Sequence, residues 1–355
     1  MIFAAPILTA AFFLLSPPKQ PADFRIEGDT LVILNAKGRL LWRHRTGIPK
    51  LQDEAYYRSR FQNRIFDWDT GLPHLPLIVI DDLDGNGRND VLFSPQAKDG
   101  LGTGRLDCFD ARGRLKWTIE TGREHIYGDI LYSADHAIHG ILVANLDGER
   151  EKEIVVISNH FRYFPTRLMI FGHNGDLLGD YWHSGRINDI LIRDLDGDGH
   201  PEILAAGINN EHNKAFFLVF DGRRVGGFSP QINDYYRSRN HTEGTERLYL
   251  IFPRTDADLR KEKTETVQYM EILKNGRISL STQISGLDFE FDPDLKPAGV
   301  KTSHRFDRLQ AEAVREGWIT RPMTAKEVEA LAGEILYWTG SGWIKRSPEA
   351  GFPPV

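Results

Sequence analysis

Two kinds of β-hairpin alternate along this chain, and few folds accommodate that alternation. The first kind closes on an acidic loop. Asp82, Asp84, Asn86 and Asp90 fall at positions one, three, five and nine of one such loop, with glycines at 85 and 87. Asp194, Asp196, Asp198 and Glu202 repeat the spacing, with glycines at 197 and 199. Asn145, Asp147, Glu149 and Glu153 form a third copy that lacks the second glycine and carries Arg150 and Lys152 among its acids. Apolar runs of strand length flank every copy, so each loop reads as the turn of a hairpin.

The second kind turns on glycine. Segments 31–42, 106–117, 168–178, 216–225, 267–280 and 335–344 share a strand–turn–strand plan. Gly38, Gly113, Gly175, Gly276 and Gly342 are expected to supply the positive φ of a tight turn, with Gly222 in that role in the fourth segment. Three acidic hairpins are each followed by a glycine hairpin, giving four-stranded units at about 77–119, 139–180 and 188–228. A unit of that kind cannot bury both faces alone, so repetition predicts an all-β propeller of five or six four-stranded blades over residues 25–355. Pairing the hairpins near 31–42 and 335–344 would close the ring, and 247–285 supplies a further blade. Two helices interrupt the pattern as an insertion around 304–332. One spans about 308–316; the other starts at Thr324, with Glu327 at the capping-box position.

Composition narrows the function classes. The net charge is −6, spread along the chain, which disfavours a nucleic-acid partner. A single cysteine, Cys108, excludes a disulfide framework. Residues 1–15 are uncharged and apolar, and prolines follow at 17 and 18. That run is short for a membrane span and suits an export signal or anchor over 1–18, placing the globular part in the periplasm or outside the cell, tethered to the membrane if the segment is uncleaved.

Calcium takes six to eight oxygen ligands from a loop that can wrap it. In the Asp82 loop the candidates are Asp82, Asp84, Asn86, Asp90 and the Arg88 carbonyl. In the Asp194 loop they are Asp194, Asp196, Asp198, Glu202 and the His200 carbonyl. The Asn145 loop is the weakest candidate, held by its own Lys and Arg. Over roughly residues 75–230 these loops resemble the FG-GAP or VCBS calcium repeats of integrin α-type propellers, and that resemblance implies calcium sites. The glycine hairpins show a weaker likeness to quinoprotein-type propeller repeats, from which no cofactor site carries over. Trp42 and Trp117 read as packing between blades.

In a four-stranded meander the first and third turns share one end, and the second turn lies at the other with the inter-blade links. His160, Arg162, Trp182, His183, Asn209, Asn210, Tyr236 and Arg237 therefore gather at the end opposite the acidic loops, as a candidate surface for a protein, peptide or glycan. No catalytic set stands out: paired metal-ligand histidines, a nucleophile elbow and a phosphate loop are all missing from the sequence. The reading is a calcium-binding, ligand-binding or sensing module, with a polysaccharide lyase or glycosidase and a structural component of a membrane complex as the alternatives.

Overall fold

The computed structural model describes residues 20–345 apart from 68, 100–102 and 162–163. The apolar run at 1–15 and Arg162 thus lie outside the described residues. Five sheets, antiparallel but for one strand, follow one another along the chain, with two short hairpins between them. Sheet 1 comprises Asp23–Glu27, Thr30–Leu34 and Leu40–Arg45. Sheet 2 comprises Ile78–Asp81, Asp90–Phe93, Arg105–Phe109 and Leu115–Glu120. Sheet 3 runs through His136–Ala144, Glu153–His160, Thr166–Phe171 and Leu177–His183. Sheet 4 starts with Ile187–Arg193, Glu202–Asn209 and Lys214–Asp221. Sheet 5 holds Val267–Ile272, Ile278–Thr282, Leu287–Phe291 and Pro297–Thr302.

The sheets pack face on face in sequence order, because side chains alternate across a strand. In Glu153–His160, Ile154 and Val156 face sheet 2, while Val155 and Ile157 face sheet 4. In sheet 4, Ala205 and Phe216 face sheet 3, while Leu204 and Phe217 face sheet 5. A strand buried on both faces reads as a continuous apolar run, which is what these segments show; each enclosed Leu, Ile or Phe contributes about 1.5–3 kcal/mol.

The outer ends of neighbouring sheets are pinned by tryptophan. Trp42 lies where a Cβ on Gly113 would be, 2.7 Å from the ring, and Trp117 takes the same place over Gly175 at 3.0 Å. Both glycines have positive φ, so the turn and the close approach each exclude a side chain. The Trp117 indole also donates to the His173 carbonyl at 3.0 Å. Both residues thus pack between consecutive sheets.

Several boundaries differ from the sequence expectation. The fourth strand of sheet 4 is Leu248–Ile251, not the segment following residue 221. Gly226–Phe228 instead runs parallel along the outer strand of sheet 3. Leu336–Trp338 and Trp343–Lys345 extend sheet 4 beyond Leu248–Ile251 and do not pair with sheet 1. Residues 287–302, expected outside the repeat, complete sheet 5. The last hairpin takes its positive φ from Gly340 rather than Gly342, and Gly222 adopts no positive φ. Both helices appear: His304–Arg315, and Ala325–Ala330 with the Thr324–Glu327 capping box closed. Among the described residues no helix is long and apolar enough to cross a membrane.

Candidate functional site

The three acidic loops lie at one end and touch in sequence order. Arg150 of the middle loop donates to the Gly85 carbonyl of the first, and Lys152 pairs with Asp81 at 2.8 Å. The His200 ring of the third loop comes within 3.2 Å of a Cβ built on Gly148. The basic residues of the middle loop thus serve its neighbour; they do not neutralise their own acids.

The first and third loops share an internal architecture. Asp82 accepts from the N–H groups of Asn86 at 3.0 Å and Gly87 at 2.8 Å. Asp194 accepts from Gly197 at 2.7 Å and Gly199 at 3.1 Å. Arg88 and His200 donate their N–H groups to Asn86 at 2.9 Å and Asp198 at 2.7 Å. Short polar side chains closing on the backbone two to five residues on, with glycine at the positive-φ positions, are sufficient to shape both loops.

Their carboxylates differ. Oxygen atoms of Asp194, Asp196 and Glu202 all lie within 4.8 Å of one another, the one such convergent group among the described residues. Ligands at 2.3–2.6 Å from one calcium ion lie at most about 5 Å apart, so this triplet fits a common cation. Glu202 also accepts from Leu195 N–H at 2.9 Å and from Arg247 at 2.7 Å, and burial pushes its carboxyl above the usual range. In the first loop, Lys116 stands between Asp84 at 3.1 Å and Asp90 at 3.0 Å. Burial pushes the Asp90 carboxyl up, and the Lys116 ammonium opposes that shift. Asn86 and Asp198 point from exposed loop tips, Asp198 with Arg223 at 3.9 Å.

The antiparallel pairing puts residues 160, 182–184 and 209–213 at the end away from these loops. Their surroundings are not those of a surface. His183 and Asn209 are enclosed, and both bond the Tyr249 hydroxyl, at 2.7 and 2.9 Å. His183 also stacks on Phe216, its ring centroid 4.1 Å away. These two are packing residues, a correction to the expectation that they meet solvent. Asn210 is half-buried and donates its N–H to the Ser184 carbonyl at 3.0 Å. His160 is buried against Tyr132 and His136. Tyr236 joins an aromatic cluster with Tyr127, Tyr132, Phe164, Trp182 and Phe228. Arg237 alone among the described members is exposed.

Beside this cluster lies a cleft of about 450 Å³ whose lining includes Arg123, His125, Trp182, Phe228, Arg239 and Asn240. Its aromatic floor is His125 stacked on Trp182 at 4.4 Å, with burial holding the imidazole neutral at a pKa of about 4. The His125 Nε2 meets Ser238 Oγ at 2.7 Å. Sequence reasoning found Trp182 here and missed Arg123 and His125. The hairpin His125–Tyr127 and Ile130–Tyr132 that carries His125 belongs to no repeat, so only its concentration of aromatics marked it.

No protein-family model matches the chain, and no curated protein matches it. Solved structures similar to it include BamB from Moraxella catarrhalis, at 11% identity and a TM-score of 0.35, covering 80% of this chain and 59% of that one. The Dos1 propeller aligns at 12% identity and a TM-score of 0.30, covering 80% of this chain and 74% of that one. The calcium-binding protein regucalcin from Agrobacterium tumefaciens aligns at 11% identity and 0.27, covering 81% and 75%. The chain spans less than two thirds of BamB, and TM-scores this low leave the architecture to be read from the sheets themselves.

Proposed function

We propose that this chain is a calcium-stabilised β-propeller that binds or senses a ligand outside the cytoplasm. The observation that carries this reading is the convergence of Asp194, Asp196 and Glu202. Consecutive sheets that bury each face on the next support radial stacking. The apolar run at 1–15 supports export, and calcium outside the cytoplasm reaches the millimolar levels that extracellular sites of modest affinity need. The ion is structural in this account: it neutralises clustered carboxylates and stiffens one hairpin. Ligand binding is assigned to the cleft at the other end, where two exposed arginines flank an aromatic floor. A glycoside-cleaving role would require a free carboxylate pair. The cleft offers Glu124 and Asp180, but Arg167 holds Asp180 through two bonds of 3.0 and 2.7 Å.

Calorimetry of the full chain with and without chelator tests the calcium reading. Calcium at a hundred times its Kd stabilises by about 2.7 kcal/mol, which for a chain of this size is roughly 4 °C in Tm. Chelation should lower Tm by that amount, and Asp194→Asn should abolish the response. A Tm indifferent to both chelator and calcium would sink the reading.

A further inference from the structure

The strand that closes each unit carries a side chain toward the acidic loop, and its identity differs between units. In sheet 2 the register slips between Cys108, paired with Trp117, and Phe109, paired with Leu115. Lys116 is therefore the extra residue of a β-bulge, and a bulge re-aims its side chain. Here it delivers the ammonium to Asp84 and Asp90, the third and ninth positions of the Asp82 loop. In sheet 3 the same slip, between Ile170 with Gly179 and Phe171 with Leu177, makes Leu178 the counterpart. Leu178 is 62% exposed and brings no charge to Asp147 or Glu153. In sheet 4 the closing strand has no slip, and Arg247 just precedes it. Its guanidinium bonds Glu202 at 2.7 Å and stands 3.7 Å from Asp196, again the ninth and third positions.

We propose that, at the two loops with the complete spacing, this closing-strand residue decides whether a divalent cation is accepted: Lys116 is the resident cation of the Asp82 loop, and Arg247 is a displaceable one at the Asp194 loop. The Asn145 loop lacks the second glycine of the motif and takes no ion in either case. Lys116 bonds both carboxylates, at 3.1 and 3.0 Å, and one of them, Asp90, is 3% exposed. A tethered ammonium has a high effective concentration at its site, and an incoming ion must strip it from both partners. Arg247 makes one close bond, to Glu202, which is 4% exposed; its other neighbour, Asp196, is 49% exposed and stands beyond bonding distance at 3.7 Å. Calcium can take Asp194, Asp196 and Glu202 once that single bond opens. The Arg247 half rests on the calcium reading above; the Lys116 half does not.

Equilibrium dialysis of the full chain against calcium chloride tests both halves. The wild type should bind one ion, Lys116→Met two, and Arg247→Met one with a Kd at least several-fold lower. Lys116→Arg, which keeps the charge, should remain at one. Should Lys116→Met fail to fold without metal, recovery of folding on adding calcium is the same result; a variant unfolded with or without calcium overturns the proposal. So does a Lys116→Met chain that is folded and binds no more calcium than wild type. If wild type and Arg247→Met bind none while Lys116→Met binds one, the calcium reading of the Asp194 loop fails and the assignment of Lys116 stands.

Discussion

Asp189→Ala will destabilise the protein by about 3–5 kcal/mol, the range for stripping one partner from a buried ion pair. The Asp189 side chain is 0% exposed and accepts two charged bonds from Arg64. It also accepts the N–H groups of Met270 at 2.7 Å and Ile190 at 2.9 Å. One carboxylate therefore ties the first strand of sheet 4, the first strand of sheet 5 and the segment entering the 65–74 hairpin. Its removal strands a guanidinium that is itself mostly buried and sits over the Tyr269 ring at 4.3 Å. Denaturant titration reads the effect as a lower midpoint at unchanged slope. A loss below about 1 kcal/mol, the range of an exposed pair, would mean that water replaces the carboxylate and that the three segments are held by packing alone.

Trp182→Ala will cost a similar amount, about 3–5 kcal/mol for emptying a buried aromatic site. The indole is 4% exposed, carries the Arg167 guanidinium at 4.8 Å on its ring, and supports His125 from below. Loss of the floor frees the 125–132 hairpin along with the cleft. The exposed Arg123 and Arg239 behave differently: alanine there should change stability by no more than about 0.5 kcal/mol. A Trp182→Ala chain with an unchanged denaturation midpoint would return the residue to the surface role that its sequence suggested.

The burial of Trp182, His183 and Asn209 shows where sequence reading stops. Local features were legible: the acidic hairpins and the Thr324–Glu327 capping box each depend on residues close in the chain. Features decided by distant partners were not. His183 and Asn209 look like loop residues because the hydroxyl that satisfies both, on Tyr249, lies forty or more residues away. The closing strand of sheet 4 follows residue 221 after a long excursion, so local spacing pointed to the wrong segment. Among the candidate metal ligands the motif specified loop shape, which Asx turns and glycines fix locally. It could not specify what fills the loop, because Lys116 and Arg247 arrive from a different strand. A bulge is visible in sequence only as one residue too many, and in the 110–117 hairpin nothing marks Lys116 as the one turned inward.

Calcium on Asp194, Asp196 and Glu202 is directly observable. Anomalous diffraction from crystals grown in millimolar calcium, recorded at a wavelength where calcium scatters anomalously, locates the ion without assumptions about affinity. The expected map has a peak about 2.3–2.6 Å from oxygens of all three residues, and none between Asp84 and Asp90, where Lys116 stands. An empty Asp194 loop under those conditions, or a peak in place of the Lys116 ammonium, would contradict it.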